Sequence, residues 1–147
     1  MDAYVIIGGP NTRKSSVTRS LTGCFNRNVR NILLNNGEII KIYARVSALQ
    51  ESKTTAQDFI AEVNQSGCQS VIFCLCPQPN PTDPTKYPDA STYVSTFRAA
   101  GWNIVRAAVL GQGRPSLLCP QQAFLPNSQV DPINQTAQAV RLHFGWR

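Results

Sequence analysis

The sequence AYVIIGGPNTRKSS occupies residues 3–16 and joins an apolar run to a glycine turn and a basic, hydroxyl-rich segment. Residues 3–7 are apolar and rich in β-branched side chains, which predicts a short, fully buried strand that ends at Gly8. A helix is predicted from Lys14 to about Cys24, because glycine at position 23 is a typical helix terminator. Its apolar face consists of Val17, Leu21, Cys24 and Phe25. A strand, a glycine loop and a helix therefore follow one another.

The loop between the predicted strand and helix has an informative spacing. Residues 8–15 match Gly-x-x-x-x-Gly-Lys-[Ser/Thr] at every fixed position but one, where Arg13 replaces the second glycine. In such a loop, backbone N–H groups and the helix dipole attract phosphate oxygens. Lys14, expected to face solvent, would reach the terminal phosphates, and the Ser15 hydroxyl would bind Mg²⁺ carried by a nucleotide. The predicted phosphate-binding residues are Gly8, Gly9, Asn11, Thr12, Arg13, Lys14, Ser15 and Ser16.

Arg13 has two interpretations. If the backbone at this position needs a positive φ, a side chain costs about 1–2 kcal/mol relative to glycine, and its bulk would also crowd the phosphates. Alternatively, the guanidinium would bind the ligand through a charge-assisted hydrogen bond. The sequence leaves both interpretations open.

The rest of the chain alternates strands and helices. Residues 32–34 and 38–46 flank Asn35-Asn36-Gly37, which predicts a β-hairpin. The segments that follow are, in order, a helix over 54–65, a strand over 70–76, a proline-rich loop over 77–89, a helix from Asp89 to Gly101, a strand over 102–110, a turn-rich segment over 116–131 and a helix opened by Pro132. This alternation predicts one α/β domain over residues 1–147. We expect a three-layer α/β/α sandwich with a mainly parallel sheet and one antiparallel strand.

The segment PNTRKSS, residues 10–16, followed by Leu21-Thr22-Gly23, resembles the start of the bacterial translation-factor class of GTPases. Those proteins read Pro-Asn-x-Gly-Lys-Ser-[Ser/Thr] and then Leu-Thr-Gly. The order of predicted elements is also similar to that of a Ras-like G domain. The resemblance implies a P-loop NTPase fold that binds ATP or GTP with Mg²⁺, with Lys14, Ser15 and Ser16 contacting phosphate and metal. The close match covers about sixteen residues.

Other motifs of that family are absent from the sequence. Residues 25–31 hold no threonine for the Mg²⁺-binding switch, residues 44–47 stand where the family has Asp-x-x-Gly, and residues 111–114 read GQGR in place of Asn-Lys-x-Asp. We therefore expect poor discrimination between ATP and GTP, and weak or absent hydrolysis. Three functions stay open: a nucleotide-binding regulatory domain, a small phosphotransferase or NTPase whose acids come from the proline-rich loop or a partner, and a pseudo-GTPase module that binds a protein or nucleic acid.

Acidic residues near the predicted loop have competing interpretations. Gln50 and Glu51 follow the hairpin and would either orient a water molecule or form an exposed polar pair. In the proline-rich loop, Asp83 and Asp89 would either belong to a lid over the site or be solvated surface charges. Five prolines within residues 77–89 exclude regular structure there.

The amino-acid composition indicates the class of protein and the kind of partner that it binds. Hydrophobic residues make up 42% and charged residues 15%, as in a globular protein. The net charge of +6 suits an anionic partner such as a nucleotide or nucleic acid. Arg19, Arg27 and Arg30 would form either an anion-binding surface, with Phe25 as a stacking partner, or a solvated face. We expect no membrane span and no signal peptide, hence a cytoplasmic protein.

The cysteines are predicted to be buried thiols. There are five, at irregular spacing, which argues against a disulfide framework. Cys74 and Cys76 alternate along a predicted strand and should share one face of it.

Overall fold

The computed structural model describes residues 1–112 and 121–147. Its strands are β1 (Asp2–Gly8), β2 (Arg27–Leu33), β3 (Ile39–Ala48), β4 (Ser70–Leu75), β5 (Asn103–Leu110) and β6 (Gln122–Leu125). Its helices are α1 (Lys14–Thr22), α2 (Ala56–Ser66), α3 (Ala90–Ala99) and α4 (Ile133–Phe144). The predicted alternation of strands and helices is confirmed. Strand β6 was missed, because it is only four residues long and lies in the segment that the sequence marked as turn-rich.

The six strands form one sheet in the order β2-β3-β4-β1-β5-β6. Strand β2 runs antiparallel to β3, and all the other neighbouring strands are parallel. The predicted mainly parallel sheet with one antiparallel strand is therefore confirmed. Strand β4 lies between β1 and β3, so a residue that follows β3 reaches the loop after β1 only by passing over the end of β4.

Helices cover both faces of the sheet. Along β1, Ala3, Val5 and Ile7 belong to a core that also contains apolar side chains of α2 and α3. Tyr4 and Ile6 point to the opposite face, into a second core with side chains of α1 and α4. Because alternate residues of a strand face opposite sides, one strand contributes to both cores. The expected three layers are present.

Helix ends follow the signals in the sequence. Gly23 ends α1 with a φ of 67°, a left-handed conformation that costs glycine little. Asp89 caps α3, as its carboxylate accepts hydrogen bonds from Thr92 N at 2.9 Å and Thr92 Oγ1 at 2.7 Å. The other carboxylate of the proline-rich loop, Asp83, accepts a hydrogen bond from Lys86 N at 3.2 Å. Both acids of the proline-rich loop therefore bind local backbone N–H groups.

Cys24, Cys68 and Cys74 are buried as predicted, and Cys76 is partly buried on the same face of the sheet as Cys74. Cys119, Gly113 and Arg114 lie outside the described residues, so the predictions for them are not addressed by the structure. None of the described helices combines the length and the apolar character that a membrane crossing requires.

Candidate functional site

The loop from Gly9 to Arg13 links β1 to α1 and contains two residues with positive φ. Asn11 has a φ of 63° and Arg13 a φ of 69°. Asparagine visits this left-handed region more readily than most residues, whereas arginine is strained there. The first interpretation of Arg13, a strained side chain, required a positive φ at this position, and the backbone has one.

Thr12 turns its side chain into the protein, where two glycines make room for it. Its hydroxyl donates a hydrogen bond to the Gly9 carbonyl at 2.8 Å, and the residue is only 6% exposed. A Cβ added to Gly8 would lie 2.2 Å from Thr12 Oγ1, and one added to Gly111 would lie 2.7 Å from Thr12 Cγ2. Gly8 therefore serves the loop by leaving space for Thr12, a packing role that the motif alone does not reveal.

A turn that follows β6 holds the outside of the loop. We call residues 128–131 the clamp turn. Ser128 Oγ donates to the Thr12 carbonyl at 3.1 Å and Gln129 Nε2 donates to the Asn11 carbonyl at 3.1 Å. Arg13 in turn donates from its guanidinium to the Asp131 carbonyl at 3.1 Å. Three hydrogen bonds thus fix three consecutive loop residues to one turn.

A cavity of about 300 Å³ lies at the N-terminus of α1. Pro10, Glu51 and five of the predicted phosphate-binding residues line it; these five are Asn11, Arg13, Lys14, Ser15 and Ser16. Gly8, Gly9 and Thr12 do not line it. Arg13 is the N-cap residue and makes no side-chain hydrogen bond to the helix. The N–H groups of the first turn, which a helix cannot satisfy internally, therefore receive no acceptor from their N-cap residue.

Lys14 is buried rather than facing solvent, contrary to the prediction. Only 5% of the residue is exposed. Its Nζ lies 2.8 Å from Glu51 Oε1 and 3.4 Å from the Gly9 carbonyl oxygen. The Glu51 side chain is 51% exposed, so the ion pair lies at the mouth of the cavity with the ammonium inside and the carboxylate outside.

Glu51 reaches the loop because β3 bulges and then turns over the end of β4. Ala44 pairs with Ile72 and Ala48 pairs with Cys74, so an advance of four residues along β3 matches an advance of only two along β4. Beyond the strand, Gln50 is 1% exposed and its amide forms hydrogen bonds to Cys76 N, Cys76 O and Pro88 O, at 2.9, 2.8 and 3.1 Å. The interpretation of an exposed polar pair is wrong for Gln50, which anchors the turn that carries Glu51.

The electrostatics of this pair extend to two thiols. Burial raises the pKa of Glu51, but the hydrogen bond and charge of Lys14 and the hydrogen bond from Cys76 outweigh it, so the pKa lies below its ordinary value. Cys76 Sγ donates to Glu51 Oε1 at 3.3 Å. Burial is the main cause that raises the pKa of Cys76 to about 11. The charge of Lys14 lowers this pKa and the neighbouring Glu51 carboxylate raises it. Burial likewise raises the pKa of Cys74 to about 12. Both thiols are protonated at neutral pH.

Side chains with hard oxygen atoms line the cavity, among them Ser15 and Glu51. The Ser15 hydroxyl donates weakly to the Val46 carbonyl at 3.4 Å, and the Glu51 carboxylate lies at the mouth. Hydroxyl and carboxylate oxygens are ligands that Mg²⁺ accepts. Within residues 1–112 and 121–147, no three His, Cys, Asp or Glu side chains come together to hold a metal by themselves.

The arginines near α1 are engaged with the protein. The Arg19 guanidinium lies 4.6 Å from the centre of the Phe25 ring, and its Nε donates to the Phe25 carbonyl at 3.0 Å. Arg27 pairs with Glu62 at 3.2 Å. Arg30 donates to the Val29 and Gly23 carbonyls. One face of the proposed stacking ring is therefore already covered by Arg19.

No protein-family model, no curated protein and no solved structure matches this chain. The function is therefore argued from the chemistry of the site.

Proposed function

We propose that this chain is a degenerate P-loop domain of the Ras-like kind, which binds the polyphosphate of ATP or GTP with Mg²⁺ at the N-terminus of α1 and hydrolyses it slowly or not at all. The burial of Lys14 beside this cavity is the observation that carries the proposal. The ammonium of a lysine that is only 5% exposed needs an anionic partner, and Lys14 lines a cavity at a helix N-terminus. A phosphate group supplies more negative charge and more acceptor oxygens than the single carboxylate of Glu51.

The loop supports the same ligand. Positive φ at Asn11 and Arg13 curls the backbone between β1 and α1, and the clamp turn holds that shape. Backbone N–H groups in such concave turns bind anions. Arg13 adds a second cation to the cavity wall. The loop is already ordered before the ligand arrives, so binding costs less conformational entropy.

Mg²⁺ fits the oxygen donors of the site. In this proposal the Ser15 hydroxyl holds the ion together with phosphate oxygens, and the bound ion neutralises phosphate charge. The protein's own part is to position the phosphates through Lys14 and the amides of the first turn of α1.

Slow hydrolysis follows from the state of Glu51. A general base works best when its pKa lies near the working pH. Before the ligand enters, Lys14 and Cys76 hold the pKa of Glu51 below its ordinary value. In the loaded site a Mg²⁺ ion beside this carboxylate would lower its pKa in the same way, so the carboxylate is a poor acceptor for a proton from water. We expect phosphate release well below about 1 s⁻¹, the lower end of ordinary enzyme turnover. Sustained release at or above that rate would contradict this part of the proposal.

The binding proposal is tested by calorimetry with ATP and GTP in the presence of Mg²⁺. Lys14→Met keeps the aliphatic volume and removes the charge, and it should weaken binding at least about a hundredfold. Lys41→Met is the matched control, since Lys41 is exposed and lies near the start of β3, level with the first residues of β4 and β1 and far from the loop that follows β1. ATP and GTP should bind with affinities within about tenfold of each other. Equal affinity of wild type and the Lys14 variant would refute the site.

A further inference from the structure

Glu51 places a negative charge at the entrance of a cavity that is otherwise built for an anion. Among the described residues that line this cavity, it is the one acid; Arg13 and Lys14 are cations, and the rest are uncharged. Its carboxylate lies 2.8 Å from the Lys14 ammonium that a phosphate would need. A phosphate that approaches Lys14 from the mouth of the cavity therefore competes with this carboxylate for the ammonium.

The displaced carboxylate cannot move far from the site, because its backbone is anchored. The three hydrogen bonds of the Gln50 amide tie the preceding residue to the end of β4 and to the Pro88 carbonyl. On the other side, Ser52 N donates to the Ala48 carbonyl at 3.0 Å and Thr54 N donates to the Leu49 carbonyl at 2.9 Å. After exchange, a carboxylate and a polyphosphate would lie side by side at the mouth of one cavity.

Two adjacent anions at this distance repel each other strongly unless a cation lies between them. A divalent cation carried by the polyphosphate meets this need, and it would find the Glu51 carboxylate and the Ser15 hydroxyl on the same cavity wall. A cavity lined by Lys14 and Arg13 alone would instead favour the metal-free polyphosphate, which carries more negative charge.

We propose that Glu51 makes this cavity selective for a polyphosphate bound to a divalent cation, by exchanging Lys14 for that cation when the ligand enters. The inference rests on the proposed function and names its ligand more narrowly. It also assigns to Glu51 a role as a metal ligand and specificity residue in the loaded site.

The test measures binding of inorganic tripolyphosphate and of ATP by calorimetry, each with Mg²⁺ and with EDTA. Wild type should bind the Mg²⁺ complexes at least about tenfold more tightly than the metal-free anions. Glu51→Gln should bring the two affinities within about threefold, chiefly by strengthening the binding of the metal-free anions about tenfold. Glu51→Asp, which keeps the carboxylate, should retain the preference for the Mg²⁺ complex.

Glu38→Gln is the charge-matched control, because Glu38 is exposed in the turn of the hairpin, and this variant should behave as wild type. A preference for the Mg²⁺ complex that is equal in wild type and Glu51→Gln, or absent from wild type, would overturn the inference while leaving phosphate binding intact. If wild type and both glutamine variants bind neither probe under either condition, the proposed function fails, and the inference fails with it.

Discussion

The strained backbone at Arg13 predicts that an ordinarily unfavourable substitution is stabilising. Arg13 has a φ of 69° and is exposed, with one hydrogen bond from its guanidinium to the Asp131 carbonyl. Arg19 is an exposed arginine in the last turn of α1 whose side chain also donates to one backbone carbonyl, that of Phe25. The two residues differ in backbone conformation and in the contact of the Arg19 guanidinium with the Phe25 ring. Arg13→Gly and Arg19→Gly therefore form a matched pair.

The expected magnitudes have opposite signs. Replacing Arg13 by glycine removes about 1–2 kcal/mol of left-handed strain, and the greater freedom of glycine in the unfolded chain takes back about 0.5–1 kcal/mol. Loss of the exposed hydrogen bond to Asp131 reduces the gain by a few tenths of a kcal/mol more. The free energy of unfolding should therefore change by about 0 to +1 kcal/mol. Arg19→Gly puts glycine in the last turn of a helix and removes the contact with the Phe25 ring, so it should lower that free energy by about 1 kcal/mol.

Urea unfolding followed by circular dichroism measures this difference. With a slope of about 2 kcal/mol per molar urea, the two variants should have midpoints roughly 0.5–1 M apart, with wild type between them or level with Arg13→Gly. The comparison requires equal slopes, which indicates that the unfolded states are alike. If Arg13→Gly lowered the midpoint as much as Arg19→Gly, the positive φ would not be a source of strain, and the account of the loop would be wrong.

Three further outcomes follow from the same site. Restoring the glycine of the motif should not create an enzyme, so phosphate release by Arg13→Gly stays below about 1 s⁻¹; faster turnover would show that Arg13 blocks an otherwise competent site. Gly111→Ala should cost about 2–3 kcal/mol of unfolding free energy, because the added Cβ meets Thr12 at a positive φ of 86°. Thr12→Ser in that background should recover about 1 kcal/mol by urea unfolding, and strict additivity would contradict the contact. At pH 8, Cys76 should react with iodoacetamide about a hundredfold more slowly than a free cysteine, because its pKa is about 11. The rate, assigned by peptide mapping, should rise about tenfold per pH unit until the pH reaches that value, whereas a plateau near pH 9 would contradict the raised pKa.

The elements that could be predicted from sequence depend on local signals. The buried strand β1, the helix α1 that ends at Gly23 and the Asp89 cap of α3 each follow from residues within a few positions of one another. The Asn-Gly hairpin is likewise present, although Gly37 alone of its turn residues has a positive φ. Propensity, capping and turn chemistry are properties of short segments, so these features can be predicted from the sequence alone.

What could not be predicted from sequence depends on contacts between distant segments. The burial of Lys14 results from Glu51, 37 positions away, and the clamp turn contacts the loop across more than 110 positions. The signal for Glu51 was an acid three residues past the end of a parallel strand, a place where functional residues concentrate. Its contact with Lys14 depends on the bulge in β3 and on the anchoring of Gln50, and neither leaves a pattern in the sequence.

The strand order explains why an acid from β3 can serve this site at all. Because β4 separates β3 from β1, a side chain at the last residue of β3 would lie two strands away from the loop. The chain closes this distance after β3 has ended, by turning over the end of β4, where Leu49 N donates to the Cys74 carbonyl at 3.1 Å and the Gln50 amide donates to the Cys76 carbonyl. The carboxylate therefore approaches the cavity from the side and pairs with Lys14 at its mouth. An acid that enters in this way can exchange partners without disturbing either strand, because the hydrogen bonds that hold its backbone do not involve its carboxylate. The ligand exchange proposed for Lys14 would thus be separable from the stability of the sheet, because the carboxylate could leave the ammonium while the backbone of residues 49–52 keeps its hydrogen bonds.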